Sequence, residues 1–220
     1  DLCGISEADL HQYFDDEING LARANGQTFK QACEQLRLDY DGYHFTYDTP
    51  GMYNPFSILN TLSKQRYGSY WFETGTPTFL VELLQKADFN LEQMSSMEAD
   101  ADTLGSIFND DNPIPVIYQS GYLTIQDYDS EFGLYKLGFP NREVENGFLK
   151  FLLPFYTAKR NTSSAFEISK FVADIKSGNA DGFMQRLQSF FAGAKSDQIA
   201  KDTENWFQNV VFIVTSLCGL

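Results

Sequence analysis

Signals that begin helices recur along this 220-residue chain, and they constrain its fold more than any other feature of the sequence. Acidic residues follow Ser6, and Pro55 follows Asn54; both arrangements are typical of a helix N-terminus. Thr76 and Pro77 repeat the second arrangement. Apolar residues then recur three or four positions apart, which is the spacing of one helix face. The sequence therefore predicts a mainly α-helical protein.

The helix pattern continues at both ends of the chain. A single helix is predicted from Ser6 to Asn25, because Leu10, Phe14 and Ile18 recur at helical spacing. A second helix is predicted over residues 28–38, and three more are predicted to start near residues 163, 179 and 201. Residues 87–112 are polar and acidic, and we expect them to be rich in loops.

A small β component is predicted in the middle of the chain. Two β-rich runs, 122–125 and 133–137, bracket an Asp-rich turn, which is the pattern of a hairpin. A helix is predicted to follow from Pro140, so that the order resembles a winged-helix unit. The sequence thus predicts three parts: a helical subdomain over 1–112, a winged-helix-like subdomain over 113–160, and trailing helices over 161–220.

The charge is strongly negative, with 30 acidic and 16 basic side chains and a formal net charge of -14. Such a field repels phosphate over most of the surface, so a general nucleic-acid coat is not expected. Acidic residues concentrate in segment 98–112, which is interpreted as solvated loop, with a surface for a basic partner as the alternative. One basic island stands out, and its residues are the nucleic-acid-binding candidates: Lys136, Arg142, Lys150, Lys159 and Arg160.

Arg142 is also the candidate for binding a nucleotide or another phosphate, because a guanidinium group can hold phosphate with two parallel hydrogen bonds. The alternative is an ion pair with Glu143, Glu145 or another acid. Both interpretations stay open at this point.

Cysteines and histidines indicate neither a metal site nor a disulfide framework. Cys3, Cys33 and Cys218 are odd in number and widely spaced, which predicts reduced thiols and a cytoplasmic location. His11 is expected at the surface, and His44 is expected to satisfy a backbone group. The longest apolar run has five residues, far fewer than the roughly 20 that span a bilayer, so no membrane association is expected.

Five motifs occur in a fixed order along the chain: YDGYHF at 40–45, YNPFS at 53–57, YWFETGTP at 70–77, QSGYL at 119–123 and LGFPNRE at 137–143. With these motifs the chain resembles a family of bacterial AAA-ATPase-like proteins, abundant in Bacteroidetes-type genomes. The resemblance covers residues 1–160, and residues 161–220 resemble the junction to a nuclease-like domain of the PD-(D/E)xK superfamily. The family's phosphate-binding P-loop is absent here, and so are the downstream metal ligands of the nuclease-like domain.

The resemblance implies a lid-like role for the helices in 1–112 and coupling of nucleotide state to a downstream domain by the winged-helix-like unit. It implies an upstream P-loop core and a nuclease-like domain as partners in the same polypeptide, with ATP and Mg²⁺ as cofactors of that longer protein. Glu204 resembles a helix-borne acid near the nuclease metal site, although a lone carboxylate does not hold Mg²⁺. No catalytic residue and no metal or cofactor site is predicted within these 220 residues.

Three functions are therefore carried forward. The first is a non-catalytic lid and winged-helix region, the second is a DNA-binding module that uses the hairpin and the basic island, and the third is a protein-interaction surface. Aromatic residues of the motifs, Tyr43, Tyr53, Trp71 and Phe72, favour a structural core, with a base-stacking platform as the alternative. An enzyme in its own right is not expected, because no nucleophile–base pair is visible.

Overall fold

The computed structural model describes residues 4–74, 78–106, 112–157, 164–192 and 203–220. It confirms a mainly α protein with a small β component. Short 3₁₀ turns lie at Trp71–Thr74 and Leu91–Ser95. The helices and strands, numbered in chain order, are α1 (Glu7–Tyr13), α2 (Asp15–Ala24), α3 (Phe29–Tyr40), α4 (Pro55–Lys64), α5 (Thr78–Lys86), β1 (Met97–Ala99), α6 (Ala101–Leu104), α7 (Ile114–Gln119), β2 (Thr124–Asp129), β3 (Leu134–Gly138), α8 (Arg142–Tyr156), α9 (Ser164–Ser177), α10 (Ala180–Phe191) and α11 (Thr203–Cys218).

Side-chain caps fix the starts of several helices where the sequence predicted them. Ser6 Oγ accepts a hydrogen bond from the Asp9 backbone N–H, and the Asp9 carboxylate reaches back to Ser6. Asn54 Oδ1 accepts from the N–H groups of Phe56 and Ser57. These bonds satisfy N–H groups that have no partner within a helix.

The helix predicted from Ser6 to Asn25 is in fact two helices. It breaks at Phe14, whose backbone leaves the helical region at φ -130° and ψ 13°. Three acids, Asp15, Asp16 and Glu17, form the first turn of α2. Negative charge is favourable at a helix N-terminus, so this cluster stabilises a new start there.

The sheet has three antiparallel strands in the order β1-β3-β2. β2 and β3 form the predicted hairpin, and a bulge between Ile125 and Asp127 shifts their register. β1 pairs with the other edge of β3, and it lies within the segment that was expected to be loop-rich. That expectation was wrong for Met97–Ala99, where a three-residue strand is too short to give a periodic signal.

The chain divides into two compact units, each assembled from separate ranges. Unit 1 draws on Asp1–Thr76, Ser95–Ile107 and Ile114–Gly147, and unit 2 draws on Pro77–Met94, Phe108–Pro113 and Phe148–Leu220. The boundary falls within α8, after Gly147. The predicted parts 1–112, 113–160 and 161–220 are each continuous in sequence, and they stay a prediction.

Each unit has its own core. In unit 1, apolar side chains of α1 to α4 form one cluster that includes Leu10, Ile18, Leu36 and Ile58, all fully buried. In unit 2, the buried ring of Phe171 lies within 5.2 Å of the rings of Phe183 and Phe190, which joins α9 to α10. None of the helices that the structure describes has the length and apolar composition needed to cross a lipid bilayer.

Candidate functional site

Residues of all five motifs meet within unit 1, at the N-terminus of α8. The motifs at 40–45 and 53–57 are joined through the loop between them. Tyr43 and Met52 exchange backbone hydrogen bonds of 3.2 and 2.9 Å, and the Asn54 N–H donates to the Tyr40 carbonyl. This pairing holds the loop closed, so that Gly42 and Tyr43 face the later motifs.

Gly42 brings the first motif against the fifth. Its φ is +105°, a conformation that L side chains rarely adopt. A Cβ atom at Gly42 would overlap the carbonyl oxygen of Pro140. Glycine is therefore required both by the backbone conformation and by the close approach of the two chain segments.

A buried carboxylate joins the third motif to the fifth. Glu143 is 5% exposed, and its Oε1 accepts a hydrogen bond of 2.9 Å from the Trp71 backbone N–H. Burial raises the pKa of Glu143, while the hydrogen bond from the Trp71 N–H partly offsets that effect. Neither Ser57 Oγ nor Glu143 Oε2 has a partner of hydrogen-bonding geometry among the described residues. The carboxylate therefore acts as a buried acceptor that positions the 3₁₀ turn.

Aromatic rings bring in the fourth motif. The Trp71 ring lies edge-on to the rings of Phe72 and Tyr122, at centroid distances of 4.9 and 5.0 Å. Tyr43 donates a hydrogen bond to the Gly121 carbonyl at 3.3 Å. The rings therefore pack on one another, as the core interpretation of these motifs expects, rather than forming a row of free faces for bases.

Close packing extends to the first turns of α8. The Phe72 ring lies so near Gly147 that a Cβ atom there would overlap it.

Two further motif residues have local hydrogen-bond partners. Tyr53 is 1% exposed and donates to the Glu7 carboxylate at 2.5 Å. His44 Nδ1 donates to the Thr49 carbonyl at 2.7 Å, and this confirms the backbone-satisfying role expected of that histidine.

Arg142 occupies the first position of α8 and is exposed. Among the described residues it forms no ion pair, and so the alternative of a bond to Glu143 or Glu145 is not observed. Its charge acts over a longer distance: burial raises the pKa values of Asp39 and Glu145, and Arg142 opposes both shifts. Arg142 thus remains available to an external anion.

Lys136 lies on the central strand between two acids. Its Nζ forms an ion pair of 3.2 Å with Asp127 of β2. On the other side, the register places Glu98 of β1 directly opposite Lys136. Residues directly opposite in an antiparallel pair share one face of the sheet. Lys136 is therefore neutralised by its neighbours, which makes it a poor phosphate contact.

The other members of the basic island fall elsewhere. Lys150 belongs to unit 2, where it lines a groove beside α9. Lys159 and Arg160 lie outside the residues that the structure describes. Glu204 is an exposed residue in the first turn of α11.

Sequence reasoning missed the role of Glu143, which had been considered only as a partner for Arg142. Its partner is a backbone N–H group of a residue 72 positions away, and such a donor has no signature in the sequence. Within the described parts of the chain, no group of three or more His, Cys, Asp or Glu side chains is placed to hold a metal ion. Cys33 and Cys218 are free thiols.

Comparison with known proteins gives one informative match. An uncharacterized protein in the vnfD 5′ region of Azotobacter chroococcum mcd 1 is 31% identical over 221 residues. The match covers 94% of this chain, which spans only 37% of the relative's length. No family model matches the chain, and no solved structure matches it.

Proposed function

We propose that this chain is the non-catalytic lid and winged-helix region of an ATPase-like protein, and that it couples nucleotide state in a P-loop core to a nuclease-like domain. The observation that supports this proposal is the convergence of the five motifs. Their residues are used for internal joints: the Glu143–Trp71 bond, the Gly42–Pro140 approach and the Trp71–Tyr122 ring contact. Residues that pack in this way support a structural role rather than a catalytic one.

Coupling requires contacts between the helical region and α8, and the joints are contacts of this kind. The loop after α3 and the turn after α4 are both tied to the start of α8. A packed joint of this kind transmits a displacement because close-packed contacts resist gradual deformation. α8 then runs for 15 residues, about 22 Å, and a boundary between the two units falls within it.

The length of the relative is consistent with this role. Most of the Azotobacter protein lies outside the region that matches this chain. Additional domains in such a longer polypeptide would supply what the described residues lack, namely a site for ATP with Mg²⁺ and a metal-dependent nuclease-like site.

A hydrolysis assay tests the non-catalytic role. The purified 220-residue chain is incubated with ATP and Mg²⁺, and released phosphate is measured beside the same preparation of Glu143→Gln. We expect no turnover above buffer in either sample. Turnover that persists through a second purification and changes in the variant would contradict the proposal.

Hydrogen exchange tests the coupling. In a longer polypeptide that includes a P-loop, addition of a slowly hydrolysed ATP analogue should change amide protection around the joints, over residues 41–54, 70–74 and 141–147. Residues 29–38 of α3 serve as the internal control, with no change expected. Equal protection of the joint segments with and without nucleotide would argue against coupling.

Arg142 supports nucleic-acid binding as a second candidate function, since it is exposed and lacks an ion pair among the described residues. The neutralised Lys136 weighs against that function. A gel-shift titration with duplex DNA at several salt concentrations decides between the two, with Lys30→Ala as the matched control for Arg142→Ala. Binding that falls steeply with salt and is lost only in the Arg142 variant favours DNA.

A further inference from the structure

A surface groove with a volume of about 480 Å³ lies along α9 in unit 2. The helix contributes one continuous face to it, formed by Ala165, Ile168, Ser169, Val172, Ala173 and Lys176. Lys150 of α8 and Leu217 of α11 complete the wall. Apart from the two lysines and one serine, this lining is apolar.

The floor of the groove is shaped for another helix. Ala165, Ser169 and Ala173 recur every fourth residue, so they share one face of α9 and present little side-chain bulk. Val172 and Leu217 rise beside them and are partly exposed. The backbone of a second helix can approach such a surface closely. The apolar lining has no groups that would bind the phosphates of a nucleic acid.

The two lysines stand at opposite ends of the groove. Pro154 has no N–H group, so the Lys150 carbonyl lacks its usual partner in α8. The Ser164 hydroxyl at the start of α9 donates to that carbonyl at 2.9 Å, which places Lys150 beside the start of α9. Lys176 lies in the last turn of α9, 12 residues after Ser164, so about 18 Å of helix separate the two ends.

Both lysines are available for an acidic partner. Neither Lys150 nor Lys176 has a carboxylate partner among the described residues. Lys170, on the same helix but outside the groove, is instead tied to Glu167 at 3.1 Å. The chain as a whole carries a charge of -14, so an acidic ligand is attracted here only by these local charges.

We infer that this groove binds an amphipathic helix of a partner protein, with an apolar face and two carboxylates eleven residues apart. Positions separated by eleven residues lie on nearly the same helix face and about 16 Å apart, which is close to the separation of the lysine ends along α9. The inference does not depend on the proposed function.

Other occupants match the groove less well. Two copies joined groove to groove would place lysines against lysines, which is unfavourable. A fatty acid has one carboxylate and would leave one lysine without a partner. A nucleic acid would place phosphates against an apolar floor.

Fluorescence anisotropy with a designed peptide tests the inference. The probe is a labelled, Ala-rich and Leu-rich helix of about 20 residues, long enough to be helical in water, with two Glu residues eleven positions apart. Two further peptides serve as controls: one has Gln in place of both Glu residues, and the other has the same composition in scrambled order. We expect the Glu peptide to bind at least tenfold more tightly than either control.

Variants of the full chain locate the contact. Lys150→Glu and Lys176→Glu should each weaken binding about tenfold. Lys30→Glu changes the net charge equally but lies on α3 in unit 1, and it should have little effect. A peptide with Lys in place of both Glu residues should bind the double variant Lys150→Glu/Lys176→Glu and not the unmodified chain.

A bulky substitution in the groove tests the contribution of its shape to binding separately from the contribution of the lysine charges. Ala173→Trp keeps both lysines and substitutes an exposed position, so the fold should be retained while peptide binding is lost. Circular dichroism checks the fold of every variant, and the exposed lysine variants decide the question if the tryptophan variant does not fold.

Several outcomes would overturn the inference: no binding of the Glu peptide, equal binding of the Glu and Gln peptides, or binding that is insensitive to Lys150→Glu and Lys176→Glu. The same conclusion follows if oleate or a single-stranded oligonucleotide binds in a lysine-dependent way and the peptide does not.

Discussion

Each of the two units is stabilised internally by a different kind of contact. Around the start of α8, unit 1 uses single joints between distant residues: a carboxylate on a backbone N–H, a glycine against a carbonyl and edge-on rings. In unit 2, apolar residues at helical spacing pack α9 against α10 and α11. The first kind of contact depends on individual residues, and the second depends on a repeating pattern that tolerates changes of similar volume.

Joints of the first kind also occur among the described residues of unit 2, and one of them is buried. Asn209 of α11 is 2% exposed, and its side-chain amide bonds to both sides of one turn. Its Oδ1 accepts from the Leu91 N–H at 2.7 Å, and its Nδ2 donates to the Phe89 carbonyl at 2.8 Å. The contrast between the units is therefore one of degree, and substitutions can measure it.

The largest effect is expected at Gly42. Gly42→Ala forces a Cβ atom into a left-handed conformation and against the Pro140 carbonyl. The free energy of unfolding should fall by at least about 3 kcal/mol, as measured by thermal or urea unfolding followed by circular dichroism. Gly26→Ala is the matched control, because its φ is also positive, at +66°, but its Cβ would meet nothing within 4 Å. The control should lose only about 1 kcal/mol. Similar losses in the two variants would show that the close approach at Gly42 is unimportant.

A smaller effect is expected at the joint in unit 2. Asn209→Ala leaves the Leu91 N–H and the Phe89 carbonyl without their partner, which should cost about 2 kcal/mol in urea unfolding. Gln208→Ala removes an exposed neighbour and should change stability by less than about 0.5 kcal/mol. If both variants were equally stable, unit 2 would rest on its apolar pattern alone.

The smallest effect depends on pH and tests the buried carboxylate of unit 1. Burial raises the pKa of Glu143 above its ordinary value of 4.5, so the folded state binds the proton more tightly than the unfolded state does. The stability that this group contributes is present at low pH and is lost as the pH rises through the folded pKa.

Glu143→Gln removes this titration while keeping an acceptor for the Trp71 N–H. Relative to the unmodified chain, its free energy of unfolding should rise between pH 4 and pH 7. Urea titrations at both values provide the measurement, and Glu92→Gln, at an exposed position, provides the control. A difference between variant and parent that is the same at both pH values would contradict the assignment.

The same contrast explains what the sequence predicted and what it did not. Periodic apolar residues and capping residues predicted most helices, because both signals are local; α4 begins where Asn54 and Pro55 indicated. The hairpin was also predictable, since its two strands flank one turn. Strand β1 was missed because it has only three residues and pairs with a strand almost 40 residues later.

The candidate site was predicted less completely. Residues of the motifs meet in the structure, and the rings of Trp71, Phe72 and Tyr122 pack on one another. Their meeting point could not be predicted, because the Glu143–Trp71 and Gly42–Pro140 contacts involve backbone atoms that every residue carries. The members of the basic island lie within 25 residues of sequence but in different environments. Lys136 is ion-paired, Arg142 has no ion-pair partner among the described residues, and Lys150 lines the groove.

Pro154 shows how a residue inside one helix can affect the start of the next. Because Pro154 has no N–H group, the Lys150 carbonyl lacks its usual partner within α8, and the Ser164 hydroxyl donates a hydrogen bond to it instead. The effect of Pro154 therefore lies partly in α9, through the Ser164 hydroxyl. Pro154→Ala would return an N–H group to the Lys150 carbonyl and compete with Ser164 for that acceptor.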